Sequence, residues 1–254
     1  MSRPDAARRL LADGALIAPP RPRTHHGHVM HGLGLGIVGG QYPENSILPG
    51  DNELQDRFGV SRTVLREALK TLSAKGLIQA KARIGTRVRK RQFWNLFDSD
   101  ILHWHAQTRV DASFLISLGE MRLALEPEAA AYAAERRTEE QAEALFGWIE
   151  RMARAETSGK DFVANDLAFH LAIAEASANP FMRSVSALIE VALATTLAVS
   201  SPVPDLARHA TSVARHRAIA QAIADRDADA ARETMGVVIR EGMKRVSVVL
   251  HAEA

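Results

Sequence analysis

The long stretch from Asp111 to the C-terminus constrains the fold most, because every segment of it has the spacing of a helix. Alanine and leucine dominate it, runs typical of β-strands are scarce, and breaks fall at Gly159, at Asn179-Pro180 and at residues 200–205. Apolar residues that recur at every third or fourth position line one face of a helix. The pattern predicts an all-α bundle of six helices, spanning residues 111–136, 138–156, 160–177, 180–199, 205–225 and 227–249.

The region before it, residues 27–91, has a different organisation. "HVMHGLGLGIVGG" has helical spacing, and "DNELQDRFGV" predicts a short second helix with Asp51 as its N-cap and Gly59 at its end. Ser61 can cap a third helix, which closes at Gly76. Two strand-like pieces around residues 83–86 predict a basic hairpin. Three helices followed by a small β-hairpin indicate a winged helix-turn-helix, so we expect the chain to be mainly α.

The remaining segments are expected to flank or connect these two domains. Residues 1–26 are rich in Arg, Pro and Ala and lack sustained periodicity, which predicts a flexible tail. Residues 92–110 include Trp94 and Trp104, and their spacing predicts a linker helix whose aromatic side chains pack between the domains. The helical domain then covers residues 111–254.

The net charge of +2 hides two regions of opposite sign. Residues 57–91 contain 11 Lys or Arg and one acid, Glu67, whereas residues 92–254 contain 16 Lys or Arg and 23 Asp or Glu. A small basic module beside a larger acidic domain is typical of a protein that binds a polyanion. The alternative explanation is a basic face that is simply solvated.

The third helix of the basic module supplies the candidate DNA contacts. In a helix-turn-helix, the second helix of the motif enters the major groove with its N-terminal residues toward the bases. The residues at this end are Ser61, Arg62, Thr63 and Arg66. Arg62 and Arg66 share an outward face because they are four residues apart, and arginine can donate two hydrogen bonds to guanine. Arg83 and Gly85, at the hairpin tip, are candidates for contact with the minor groove or the DNA backbone.

A family resemblance supports this interpretation. "LPGDNELQDRFGVSRTVLREALKTLSAKGLIQAKARIGTRV" resembles the winged-helix signature of the GntR family of transcriptional regulators. The resemblance implies a sequence-specific DNA-binding protein that acts as a homodimer on a palindromic operator. It places the DNA-contacting positions of the family on Ser61, Arg62, Thr63, Arg66 and Gly85. The chain departs from the pattern at Asn52, where the family often has an arginine.

Two pairs of polar residues and one inward-facing histidine stand out in the acidic half. Arg122 and Glu126 are four residues apart, as are Asp166 and His170, and His216 lies on the apolar side of a later helix. Asp and His are ligand types for a divalent metal such as zinc or manganese, and Arg can bind a carboxylate through two hydrogen bonds. From spacing alone, ion pairs and hydrogen-bonded histidines are the commoner explanation of such residues.

A second resemblance changes that balance. "LGEMRLALEPEAAAYAAER", "DLAFH" with "ASANP", and "RHRAIAQAIADRDADAARETM" resemble the all-helical effector domain, called FCD, of the FadR subfamily of GntR regulators. The resemblance implies that Asp166, His170 and His216 match three of the usual four metal-ligand positions. The fourth position is Val238, which cannot coordinate a metal, so either water or the effector completes the shell or no metal binds.

The same residues are candidates to bind an effector directly. Arg122 would bind a carboxylate, while Asp166 and the histidines would bind hydroxyl groups. The candidate effector-binding set is Arg122, Glu126, Asp166, His170 and His216. The stretch "WNLFDSDILHW" also resembles the corresponding segment of the galactonate-operon repressors, which implies a repressor released by a sugar acid such as galactonate or a related aldonate. Another small carboxylate is the alternative effector.

Two other functions are compatible with parts of the sequence. A metal-dependent helical hydrolase could use Asp166, His170 and His216, with Glu126 as its only evident general base, but it leaves the basic hairpin unexplained. A non-specific nucleoid-type protein could use the basic module. The sequence contains no membrane-length apolar run, no signal-peptide pattern and no cysteine, so we expect a cytoplasmic protein without a membrane partner.

Overall fold

The computed structural model describes residues 24–108, 112–155, 158–203 and 205–251. These residues form two compact units, which divide at residues 109–110. Most of the expected tail, residues 1–23, lies outside the described residues. The end of that expected tail is helical, because the first helix already begins at His25 behind the capping side chain of Thr24.

The first unit is a winged helix-turn-helix, as the sequence predicts. Its elements are α1 (His25–Val38), α2 (Asp51–Phe58), α3 (Arg62–Ala74), β1 (Ile78–Lys81), β2 (Gly85–Val88), a 3-10 turn (Arg91–Phe93) and α4 (Ser99–Gln107). The strands are antiparallel, with Ile78 opposite Val88 and Lys81 opposite Gly85. Ile47 adds a single bridge to Arg87, which ties the loop before α2 to the hairpin.

Local signals set most of the helix ends in this unit. Ser61 caps α3 by accepting a hydrogen bond from the Val64 amide, and Gly59 ends α2 in the left-handed conformation with a φ of 62°. The expectation that Asp51 caps α2 is wrong, because Gly50 occupies the cap position and Asp51 is the first helical residue. Gly76 is required after α3, since its φ is 83° and a Cβ there would lie 2.1 Å from the Phe93 carbonyl oxygen.

The segment after the hairpin packs within the first unit. Ile101 and Trp104 of α4 are part of its buried core, and the Trp104 indole donates a hydrogen bond to His31 Nδ1 at 3.0 Å. A Cβ at Gly34 of α1 would lie 2.3 Å from the Trp104 ring, so this glycine lets the ring lie against the helix backbone. The expected linker helix therefore exists as α4, and its tryptophan completes the core of the winged helix.

Lys75 holds the end of α3 to the start of α4. Its ammonium lies 2.7 Å from Asp98 Oδ2 and 2.8 Å from Asp100 Oδ2, and its side chain is only 14% exposed. Burial alone would lower the pKa of Lys75, but hydrogen bonds and attraction from the two aspartates outweigh burial and raise it.

We expect Lys75→Met to destabilise the first unit by about 1–3 kcal/mol, because charged hydrogen bonds are lost and two aspartates are left side by side. Urea denaturation followed by tryptophan fluorescence measures this change. A Trp148→Phe background ensures that the signal comes from Trp94 and Trp104 of the first unit. Lys70→Met is the matched control, since Lys70 is 69% exposed in its pair with Glu67 and should change stability by less than about 1 kcal/mol. Equal effects of the two substitutions would contradict a bracing role for Lys75.

The second unit is a helical bundle. Its helices are α5 (Ala112–Arg136), α6 (Glu139–Arg154), α7 (Gly159–Ala176), α8 (Pro180–Ser184), α9 (Ser186–Ser200), α10 (Leu206–Ala224) and α11 (Ala228–His251). Its core includes Phe162, Phe169 and Ile219, which are fully buried. The capping box of Thr138 with Gln141 and the cap of Asn179 before Pro180 are both present, as predicted.

One predicted helix of this bundle is divided. The sequence predicts a single helix over 180–199, whereas the chain breaks at Val185 between α8 and α9. The Ser184 hydroxyl donates a hydrogen bond to the Pro180 carbonyl at 2.7 Å, and such bonding back to the preceding turn competes with the helical ladder. Within the described part of the chain, none of the helices is both long enough and apolar enough to cross a bilayer.

Candidate functional site

The N-terminal end of α3 presents the predicted contact residues together. Ser61, Arg62, Thr63 and Arg66 are all exposed. Neither arginine forms an ion pair with a described residue, because Glu67, the acid beside them in the sequence, binds Lys70 at 2.8 Å. Ser61 Oγ accepts the capping hydrogen bond, which leaves its hydroxyl hydrogen to donate outward. The N-terminal end of α3 is therefore a basic surface whose hydrogen-bond donors remain available to bind a ligand.

The hairpin tip exposes the other predicted contacts. Arg83 adopts a left-handed backbone conformation with a φ of 63°, and both Arg83 and Gly85 are exposed. Gly85 has a φ of 113°, and a Cβ there would also approach Ile47 to 3.3 Å, so the turn requires glycine. Arg87 is partly committed, since its Nε donates to the Asn45 carbonyl at 3.0 Å.

A cavity of about 310 Å³ lies inside the helical unit, between α5, α7, α9, α10 and α11. Four of the predicted site residues line it: Arg122, Asp166, His170 and His216. Val238 of α11 lines it as well, at the position where the family resemblance leads one to expect a histidine. The volume lies at the lower end of the range for small-molecule sites.

Glu126, the fifth predicted residue, lies behind the residues that line the cavity and contacts two of them, Arg122 and His170. Arg122 Nε donates to Glu126 Oε1 at 2.5 Å, and His170 Nδ1 contacts Glu126 Oε2. Burial alone would raise the pKa of the Glu126 carboxyl, but attraction from Arg122 and His170 outweighs burial and lowers the pKa to about 2. Glu126 is thus a permanent anion that neutralises Arg122 and orients His170.

Asp166 and His216 form a second buried pair. His216 Nε2 lies 2.9 Å from Asp166 Oδ1, and His216 Nδ1 lies 2.7 Å from the Ser212 carbonyl oxygen. Burial opposes charge on both groups, but their mutual attraction outweighs it, so the pKa of Asp166 is lowered and the pKa of His216 is raised. Because a carbonyl oxygen only accepts, Nδ1 of His216 carries a hydrogen and Nε2 faces the carboxylate.

The nitrogens that face the cavity have the arrangement of a metal-binding set. Oxygen and nitrogen atoms of Asp166, His170 and His216 lie within 4.8 Å of one another, and all three side chains are buried. His170 Nε2 makes no hydrogen bond to a described residue and lies 3.9 Å from Asp166 Oδ2. An oxygen lies beside Nδ1 of each histidine, from Glu126 for His170 and from the Ser212 carbonyl for His216, and proteins commonly hold metal-binding imidazoles from that side. The three residues therefore fit a divalent cation, with further positions left to water or a ligand.

The cavity is also lined by arginines that were not among the residues expected from the sequence. Arg208 and Arg215 of α10 and Arg245 of α11 line it, together with Glu241, Ser212 and Thr196. A usable signal exists in α11, because Val238, Gly242 and Arg245 follow one another at the i, i+4, i+7 spacing of a single helix face. The arginines of α10 carry no such signal, since an arginine on a helix is ordinarily solvated.

The chain resembles known proteins over both units. The profile described as bacterial regulatory proteins, gntR family, matches residues 27–88, and the FCD domain profile matches residues 117–241. The regulator YieP of Escherichia coli K12 is 36% identical over 212 residues, which are 82% of this chain and 89% of YieP. The galactonate operon transcriptional repressor of the same organism is 30% identical, over 85% of this chain and 94% of the repressor.

Further comparisons agree with these. The repressor NanR of Cronobacter sakazakii is 32% identical, over 75% of this chain and 73% of NanR. Among solved structures, Lar, a protein described as controlling expression of the Listeria monocytogenes agr system, shares the fold with a TM-score of 0.59 at 21% identity. That match covers 90% of this chain and 99% of Lar.

These relatives are regulators, and the site chemistry gives no support to the hydrolase alternative. Glu126, the base that a hydrolase would need, is bound by Arg122 and His170 behind the residues that line the cavity. The chain belongs to the GntR family and is a DNA-binding transcriptional regulator of the FadR type, with a winged helix-turn-helix followed by an FCD domain.

Proposed function

We propose that this regulator is a repressor that leaves a palindromic operator when a small sugar acid binds in the helical unit. One observation carries the proposal: several arginines line the same cavity as the buried Asp166, His170 and His216. Cations suit a carboxylate, and the carboxylate and imidazole groups suit hydroxyls. Relatives named as the galactonate operon repressor and as NanR repressors support repression, and the first supports an aldonate.

Operator binding is assigned to the basic surface and the hairpin tip. Arg62 and Arg66 would read base edges in the major groove, since both are exposed and unpaired with described residues. Ser61 and Thr63 would bind phosphate, and Arg83 with Gly85 would contact the minor groove or backbone. A homodimer would present two such surfaces to the half-sites of a palindrome.

A divalent cation at Asp166, His170 and His216 is part of the proposal. When bound, the cation would supply a Lewis-acidic position for a hydroxyl or carboxylate oxygen of the effector. Glu126 and the Ser212 carbonyl would hold the two imidazoles by their Nδ1 atoms, and Arg122 would remain at the edge of the cavity. The polar groups that face the effector would thus be fixed before it binds.

Release requires that the effector distinguish two conformations. A ligand shifts an equilibrium only by the difference between its affinities for the two states, and near-complete release needs about 5 kcal/mol of such difference. The cavity is suited to this task because its lining comes from five helices, so a ligand bound there contacts elements that are far apart in the sequence.

We expect full-length protein to select a palindromic site from a random DNA library and to bind it at least about 10³-fold more tightly than random DNA at fixed salt. Adding D-galactonate to this complex in a mobility-shift assay should release the DNA. Comparable affinity for selected and random DNA would contradict specific binding and favour a non-specific nucleoid-type protein.

A panel of aldonates, uronates and other small carboxylates, tested with and without a chelator, identifies the effector class. If only carboxylates without hydroxyls release the DNA, the sugar-acid assignment is wrong while the carboxylate response holds. If chelator abolishes the response and zinc restores it, the cation is required.

A further inference from the structure

We propose that Arg245 is the residue that receives the effector's carboxylate and thereby restricts the cavity to anionic ligands. The inference rests on the proposed function, because it takes the cavity to be the effector site. It differs from the expectation drawn from the sequence, which gave the carboxylate to Arg122.

Ion pairs distinguish three of the arginines that line the cavity, Arg122, Arg215 and Arg245. Arg122 is held by both oxygens of Glu126, at 2.5 Å from Nε and 3.4 Å from Nη2. Arg215 is paired with Glu241. Arg245 lines the same cavity and forms no ion pair with any described residue. A ligand carboxylate that binds Arg122 would have to compete with the buried Glu126. A ligand carboxylate that binds Arg245 would contact a guanidinium that has no ion-pair partner among the described residues.

The surroundings of Arg245 make its charge costly without a ligand. Its Nε is buried and has no hydrogen-bond partner among the described residues. Burial lowers the pKa of the Arg245 guanidinium, and repulsion from Arg208 and Arg215 lowers it further, while only Asp166 acts in the opposite direction. A folded protein that keeps an under-solvated cation among like charges has a site that an anion would stabilise.

Other residues that line the cavity then orient the ligand. Asp166 is a buried carboxylate that lines the same cavity, so it repels a second carboxylate and accepts hydrogen bonds from hydroxyls. Gly242 lies between Val238 and Arg245 along the cavity face of α11, and its lack of a side chain leaves room beside the guanidinium. The ligand class is therefore a short polyhydroxy monocarboxylate, with its carboxylate at Arg245 and its hydroxyls toward Asp166, His170 and His216.

Isothermal titration of the full-length protein with two matched probes tests this assignment. D-galactonate carries the carboxylate, and galactitol carries the same chain of hydroxyls without it. We expect Arg245→Gln to weaken galactonate binding by about 10- to 100-fold, as loss of charged hydrogen bonds does. We expect galactitol to bind the wild-type protein weakly and to bind the variant with the same affinity. Arg240→Gln is the matched control, since Arg240 lies on the same helix, is exposed and does not line the cavity.

Thermal unfolding without ligand separates a binding role from a structural one. Removing an unpaired, repelled cation should raise the melting temperature of Arg245→Gln by about 1–3 °C, whereas loss of a structural arginine would lower it. Unchanged galactonate affinity in Arg245→Gln, or wild-type binding of galactitol as tight as that of galactonate, would overturn the role of Arg245 alone. A wild-type protein that does not bind galactonate would overturn the sugar-acid proposal, and this inference with it.

Discussion

Replacing Glu126 by glutamine should lower the free energy of unfolding of the helical unit by about 3–5 kcal/mol, the usual cost of removing one partner from a buried ion pair. Glu126 is 3% exposed and is bound on one side by Arg122 and on the other by His170. The amide would leave the Arg122 guanidinium, itself 6% exposed, without a compensating charge. Scanning calorimetry of the full-length protein measures the loss.

The control for this prediction is Glu150→Gln. Glu150 also accepts from an arginine, Arg217, at 2.6 Å, but both side chains are about half exposed, so the change should be at most about 1 kcal/mol. The double variant Arg122→Met/Glu126→Leu should recover much of the lost stability, because apolar side chains of similar size replace a buried pair at little net cost. A Glu126→Gln variant as stable as the control would show that Arg122 is well solvated.

The fold was predictable where local chemistry decides it. Gly59, Thr138 and Asn179 end or begin helices through their own backbone and side-chain preferences, and the structure has them in those roles. The division at Val185 was not predictable, because a serine hydroxyl competes with a helix ladder only when packing favours the bend. The place of α4 was not predictable either, since it depends on Trp104 meeting His31, 73 residues earlier in the sequence.

The candidate site divides in the same way. Asp166 and His170 share a helix face, so spacing alone brings them together. The partner of Asp166 in the structure is His216, from another helix, and only the family resemblance linked the two in advance. Spacing could place Arg245 on the helix face of Val238, but it could not show that Arg245 lacks the kind of ion pair that Arg122 and Arg215 make with described residues. Pairing of that kind is a property of tertiary packing.

Replacing Arg66 by alanine should weaken binding to the selected operator by about 1–3 kcal/mol for each half-site, and hence by about 2–6 kcal/mol for a dimer on a palindrome. Arg66 is exposed on α3, one turn beyond Arg62, and it forms no ion pair with an acid among the described residues. Its guanidinium is therefore available to donate two hydrogen bonds to a guanine. Mobility-shift titrations at fixed salt, with operator and random DNA side by side, measure the change.

Lys70→Ala is the matched control, because Lys70 lies one turn further along the same helix and is already paired with Glu67. Lys70→Ala should weaken binding to operator and to random DNA slightly and by the same factor. The charge of Lys70 acts on any DNA sequence alike, through counterion release and subject to screening by salt. For Arg66→Ala, the ratio of operator to random affinity should fall, since a base contact is lost at one position of each half-site. If Arg66→Ala lowered the affinities for operator and for random DNA by the same factor, we would conclude that Arg66 binds phosphate. The base contacts would then be assigned to Arg62 and the hairpin.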